Sequence, residues 1–235
     1  MIFHNFLGKN CLLEKGLKNQ QPFINKLQEF NISYNKICFL NQAHSNEVAV
    51  IDSQKTWQDL YQNNFPIADA LVSNQKNIIL AIITADCVPI LLFDEKNQVI
   101  SAVHAGYKGT KNNILGETLK KMQNLGANIN NISAIIGPCI RKESYQVSAD
   151  FYTDSFWEKN IKEKFFTTDP LNSHKFLFDL PGYTTEQLTN LGLKNILDTN
   201  INTYSNPHLY CSYRRSTHLQ ITDCGRNISF IGFAG

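Results

Sequence analysis

At 235 residues, with a formal net charge of +2 and 18% charged side chains, the chain is long enough to bury a substantial core and too evenly charged to carry a basic stripe or an acidic tail. Charge therefore points away from nucleic acid and anionic membranes as partners, and any anion site must be local. The opening MIFHNFLGKN lacks the basic start and cleavage site of a secretory leader, and the longest apolar stretch, residues 78–93, is interrupted by Thr84 and Asp86 and is too short to span a bilayer. A cytoplasmic protein is expected, forming one domain over residues 1–235.

In chain order, residues 22–30 (PFINKLQEF) have helical spacing, with Phe23, Leu27 and Phe30 on one stripe. Residues 36–40 and 47–51 read as short strands flanking a QAHSN turn. Residues 78–83, 88–93, 99–103 and 132–136 are β-branched or aliphatic runs of strand length. Residues 110–126 read as one helix, with Thr110 as N-cap, Ile114, Leu115, Leu119, Met122 and Leu125 as its apolar face, and Gly126 ending it. A further helix is expected over residues 184–191 and a closing strand over 227–233. Hairpins dominate this pattern and helices are interspersed, so the fold class is α+β, with mixed β-sheets packed together and flanked by helices.

Six cysteines (Cys11, Cys38, Cys87, Cys139, Cys211, Cys224) are scattered without a C-x-x-C pair, which argues against a disulfide scaffold or a zinc ribbon. One of them has a suggestive setting. In TADCVPILLFDEKNQVISAVHAGYKGT two apolar runs are joined by the turn-type sequence DEKN, and Cys87 and His104 stand at their outer ends. A turn centred between Glu95 and Lys96 places Cys87 opposite His104; a centre one residue later pairs Cys87 with Gly106 instead. Directly opposed residues lie about 4.5–5.5 Å apart on the same face, close enough to share a metal ion or to form a thiolate–imidazole contact. A catalytic zinc keeps about three protein ligands and an open position, and His44, in the polar NQAHSNEV turn, is the best third ligand. Each of these three residues also has an ordinary reading as a core or surface side chain. Their coincidence is what selects them.

QAHSNEV, ADALVSN, TADCVPILLFD, VHAGYKG, IGPCI and CSYRR, in this order, resemble the multicopper polyphenol oxidoreductase (laccase-like) family, the YfiH-type proteins, also described as purine nucleoside phosphorylases. The resemblance covers most of the chain from Asn41 to Arg226. It implies metal ligation by His44, Cys87 and His104, with zinc as the cofactor and copper as the alternative. It also implies phosphorolysis of adenosine, inosine and related nucleosides, adenosine deamination, and phenol oxidation when copper is bound. The partners implied are a purine nucleoside and phosphate, for a protein acting as a monomer or small homo-oligomer. The chain departs from the family pattern at HAGYKG, where Tyr107 and Lys108 replace tryptophan and arginine, at QAHS, and at Cys224-Gly225-Arg226, where TGR is usual.

Around the three ligands, Asp86 is a candidate second-shell partner or proton acceptor, although an adjacent strand residue points to the other face. With Cys87 and His104 it completes the expected catalytic set. Lys108, in a glycine-spaced loop leading into a helix, and Arg214 and Arg215, with bidentate donors, are the expected substrate-binding residues; one of the two arginines is expected to be structural. Tyr107 and Tyr213 are candidates for stacking on a purine. Two further readings stay open: an amide-cleaving cysteine hydrolase of the kind that edits cell-wall precursors, with Cys87 as nucleophile and His104 as base, and a non-catalytic binding protein.

Overall fold

Two apolar runs without alternation dictate the architecture. Residues 78–84 and 88–94 are aliphatic at most positions, a pattern that suits a strand covered on both faces. In the computed structural model, which describes residues 1–11, 19–52, 65–222 and 224–233, both runs are strands of that kind. The chain opens with β1 (Ile2–Leu7) and α1 (Gln21–Glu29). Pro22 sits in the first turn of α1, where its missing N–H forfeits no helical bond. Phe23 and Leu27 of the expected stripe are buried, but Phe30 lies past the helix end and is 40% exposed. Strands β2 (Lys36–Cys38), β3 (Val48–Ile51), β4 (Ala70–Ser73), β5 (Ile78–Thr84), β6 (Val88–Asp94) and β7 (Val99–Ala105) follow.

The single helix expected over residues 110–126 is instead two, α2 (Tyr107–Lys111) and α3 (Ile114–Asn124). The break falls at Asn113, φ 66°, a left-handed conformation that asparagine adopts more readily than most residues. Thr110 lies inside α2, and its hydroxyl donates to the Gly106 carbonyl at 2.9 Å. The expected apolar face is the buried one, and Gly126, at φ +98°, follows the helix end as anticipated. Beyond it come β8 (Ser133–Ile136), β9 (Gln146–Ser148), α4 (Ala149–Thr153), α5 (Lys159–Phe165), β10 (Phe166–Asp169), β11 (Asn172–Phe178), α6 (Leu180–Asn190), β12 (Asn195–Asp198), α7 (Tyr213–His218) and β13 (Asn227–Phe233). Helix α6 begins before the expected Thr184 because Asp179 caps it, accepting from the Gly182 amide at 2.9 Å, with a proline in the first turn.

Among the described residues the strands form three sheets. The largest has the order β12-β8-β6-β7-β4-β3, parallel at its two outer pairs and antiparallel between them. A second, β1-β13-β5-β2, is parallel only at β2/β5. The third, β10-β11-β9, is antiparallel. Period-two alternation then assigns the faces. Leu80, Ile82 and Ile231 pack across an inter-sheet layer against Leu71, Leu91, Ile100 and Ala102. On its outer face the four-stranded sheet packs Ile79, Ala81 and Phe230 onto Phe23 and Leu27 of α1. The six-stranded sheet packs Val88, Ile90, Leu92 and Val103 onto Ile114, Leu115, Leu119 and Met122 of α3. The order of layers is helix, sheet, sheet, helix, and each fully buried aliphatic side chain contributes about 1.5–3 kcal/mol. No helix among the described residues is long and apolar enough to cross a membrane.

This layering decides where the chemistry sits. Strands β2 and β5 belong to the four-stranded sheet, and their successors β3 and β6 to the six-stranded one, so the connections carrying His44 and Cys87 both step between sheets. The Gln42 side chain holds the two crossovers together. Its amide donates to the Ile83 carbonyl and accepts from the Ile83 amide, both at 2.8 Å.

Candidate metal centre and active site

The centre is organised by a residue that the sequence reading did not select. Asp69, fully buried just before β4, accepts from the backbone amides of Ala43, His44 and Ser45 at 3.2, 3.0 and 2.6 Å and from the Ser45 hydroxyl at 2.7 Å. It also accepts from His104 Nδ1 at 2.7 Å. Burial by itself would raise the pKa of this carboxyl, but the hydrogen bonds from His104 and Ser45 and the charge of His104 bring it down to about 2. Asp69 thus fixes the turn that carries His44, whose φ is 59°, and fixes the His104 ring, leaving Nε2 as the candidate ligand atom. The available signal was an acid opening the apolar strand of ADALVSN; its partners are 24 to 35 residues away in sequence, so no local spacing reveals them.

His44, Cys87 and His104 come together, each offering a ligand atom within 4.8 Å of the others. Cys87 Sγ is 3.8 Å from His44 Nε2, and the two imidazoles meet edge to face with centroids 4.8 Å apart. Exposure is graded: His104 is buried, Cys87 intermediate and His44 exposed, so the group opens to solvent on one side. The hairpin register differs from the one expected. Val88 pairs with Ala105 and Pro89 with His104, which puts Cys87 level with Gly106 and diagonal to His104. Four residues, Glu95 to Gln98, form the turn, so its centre lies one residue later than expected. That shift preserves the face of the strand, and diagonal neighbours on one face remain within reach. Gly106 is required by this arrangement, since a Cβ there would fall 2.9 Å from His44 Cδ2 and 3.1 Å from Cys87 Sγ.

Burial opposes ionisation of Cys87, but the His104 charge, together with hydrogen bonds from His104 and His44, brings the thiol down to about 6. Burial likewise opposes charging of His104, yet the Cys87 thiolate and the bond to Asp69 raise it to about 9. Two imidazoles and a readily ionised thiol suit zinc, whose tetrahedral bonds set donor atoms about 3.3–3.8 Å apart and leave a fourth position open. The same donors suit copper. Among the described residues this is the only group of three or more such ligands, so the residues fit one ion.

The remaining expected site residues separate. Asp86, at φ 89°, accepts from the Thr203 hydroxyl at 2.6 Å, the Ser212 hydroxyl at 2.9 Å and the Arg214 amide at 2.7 Å, and none of these bonds runs to the ligand trio. It anchors the Arg214 segment beside Cys87, while Asp69 is the acid that orients a candidate ligand, His104. Arg215 is the structural member of its pair, donating to the carbonyls of Thr203, Tyr204 and Tyr210 at 2.6, 2.7 and 2.5 Å. Arg214 lies over the Tyr145 ring at 5.4 Å and donates once from its guanidinium, to the Gln146 carbonyl at 2.7 Å. The Tyr145 phenol is pushed above its ordinary pKa first by burial and then by the Cys87 charge, which puts that ring within electrostatic reach of the trio. Lys108 is exposed on the five-residue α2. Tyr107 packs edge-on against Phe151, centroids 5.1 Å apart, and Tyr213 is 66% exposed.

Two sheets whose crossovers deliver an imidazole and a thiol beside a second imidazole from β7 define a protein with a candidate mononuclear metal centre. The model of the family described as multi-copper polyphenol oxidoreductase laccase matches residues 17–234, and the chain belongs to that family. It is similar to a purine nucleoside phosphorylase of Rickettsia prowazekii (strain Madrid E), 37% identical over 185 residues that cover 79% of this chain and 73% of the relative. A purine nucleoside phosphorylase of Haemophilus influenzae is 32% identical over 196 residues, 83% of this chain and 73% of the relative. Among solved structures, YfiH of Bacillus licheniformis superposes with a TM-score of 0.81 at 22% identity, over 99% of this chain and 92% of that one. A Neisseria meningitidis protein does so at 0.78 and 24% identity, over 99% and 90%. Identities this low speak for the fold alone.

Proposed function

We propose that this chain is a metal-dependent purine nucleoside enzyme. It cleaves adenosine and inosine with phosphate to the free base and ribose 1-phosphate, and methylthioadenosine to adenine and 5-methylthioribose 1-phosphate, and it deaminates adenosine with water to inosine and ammonia. The observation that carries the reading is the His44, Cys87 and His104 group opening to solvent, with the Cys87 charge acting on the Tyr145 phenol over which Arg214 lies. Similarity to proteins named purine nucleoside phosphorylases supports the substrate class. When bound at the trio, zinc supplies Lewis acidity, and copper in its place adds phenol oxidation. Asp69 holds His104 in one tautomer and one orientation throughout. Arg214 spends one guanidinium hydrogen bond on the Gln146 carbonyl and turns its other donors to phosphate, with Lys108 adding positive charge. Tyr145, kept neutral by its raised pKa, walls the nucleoside and donates a hydrogen bond to it. Incubating zinc-loaded protein with adenosine or inosine tests this. Free base and ribose 1-phosphate are expected only when phosphate is present, and conversion of adenosine to inosine without it. If neither product forms, the reading fails and a non-catalytic binding role takes its place.

One observation favours a second reading. Asp69, His104 and Cys87 stand in the order orienter, base, nucleophile used by cysteine hydrolases, with the thiol already at about 6. Iodoacetamide separates the two. A ligand thiolate resists alkylation until a chelator removes the ion, whereas a nucleophile is alkylated at once with loss of activity and is indifferent to chelation.

A further inference from the structure

Five of the six cysteines lie outside the candidate metal centre, and two of them, Cys211 and Cys224, meet. Cys211 Sγ donates to the backbone carbonyl of Cys224. The approach is built into the fold: Asn227, at the start of β13, accepts from the Cys211 amide at 2.8 Å and donates to the Cys211 carbonyl at 2.9 Å. The chain therefore leaves Cys211, forms α7, and returns through Cys224 to a residue clamped on Cys211 itself.

We propose that Cys211 and Cys224 are a thiol–disulfide exchange site, taking a small disulfide such as oxidised glutathione as oxidant and closing into an intramolecular disulfide. The two thiols have unequal roles. Cys211 is fully buried, and its bond to Cys224 and its burial both hold the thiol protonated; Cys224 is partly exposed. Cys224 therefore meets the oxidant first. Its thiolate attacks one sulfur of glutathione disulfide, forming a mixed disulfide and expelling one glutathione thiolate. Cys211 then gives up its proton and attacks the Cys224 sulfur, expelling the second glutathione. Two electrons and two protons pass from the protein to the oxidant, yielding two glutathione thiols. The ring so closed contains Ser212 and Arg214, whose bonds to Asp86 hold the residue next to Cys87. Oxidation thus ties the anchor of the candidate active site to the base of β13.

Trypsin provides the test, because cleavage after Lys194, Arg214, Arg215 and Arg226 places the two cysteines on different peptides, residues 195–214 and 216–226. Full-length protein is treated with oxidised glutathione, its remaining thiols are blocked, and the digest is read by mass spectrometry. The expected main product is the cross-linked pair of these peptides, two hydrogens lighter than their sum, abolished by dithiothreitol and absent in Cys224→Ser. In Cys211→Ser the expected product is a persistent glutathione adduct on Cys224. A persistent adduct on Cys224 in the unmutated chain overturns the proposal. So does a digest dominated by disulfides to Cys11, Cys38, Cys87 or Cys139.

Discussion

Asp69 shows how much one side chain can decide. Its carboxylate joins a turn, a strand end and an imidazole, so replacing it with an isosteric amide leaves the volume intact and removes the charge-assisted bond to His104. Asp69→Asn is expected to lower zinc affinity by about 10–100-fold, measured by competition with a chromophoric chelator. The same acid links stability to pH. Its folded pKa, about 2, lies below its unfolded value, so its contribution of about 2 kcal/mol is present above the ordinary aspartate range and is lost as pH falls through about 2. Acid unfolding of the metal-free protein should therefore shift to higher pH in Asp69→Asn. Cys87 gives a second pH readout. In metal-free protein its alkylation rate should rise through a midpoint near 6, against an ordinary thiol near 9, and zinc should suppress the reaction. A midpoint near 9 would show that His44 and His104 do not act on it.

At the scale of elements, the candidate ligands were legible and the register between them was not. Cys87, His104 and His44 stand out because apolar strands end in chemistry-bearing residues beside turn signals, and those local features survive folding. The pairing offset depends on turn length, which DEKN leaves open; the strand simply continues through Asp94. The break at Asn113 has no local signature, because asparagine occurs in helices and its choice of the left-handed region depends on tertiary packing. The role of Asp69 has none for another reason, since all its side-chain bonds are long-range. Gly106 can be tested directly. Its φ of −74° is open to alanine, so the backbone does not demand glycine there; the neighbouring ligands do. Gly106→Ala should weaken zinc binding by about tenfold with little change in the unfolding midpoint of the metal-free protein. Equal losses of both would point to a backbone role.

For the whole molecule, the sequence conveyed mixed sheets with flanking helices but not their stacking. An apolar run states that both faces of a strand are covered without saying by what, and only the assignment of β2 and β5 to one sheet and β3 and β6 to the other reveals the layers. Metal binding at the trio would stabilise this arrangement by mass action. Zinc at about 100 times its dissociation constant adds about 2.7 kcal/mol, which for a chain of this size is a rise of about 5–10 °C in Tm. Calorimetry should show that rise in the unmutated protein and not in His104→Ala. A rise of equal size in the variant would place the ion elsewhere.

The two sheet-to-sheet crossovers give the centre a further property. His44 and Cys87 are 43 residues apart, and each belongs to a connection that steps from one sheet to the other. An ion held there would therefore act as a rivet set after the plates are aligned. It would have no complete seat on a half-built chain, and so would select finished molecules instead of templating their assembly. Cobalt substituted for zinc makes this visible: during refolding, its tetrahedral absorbance should appear no earlier than the burial of the inter-sheet layer around Leu91 and Ile82.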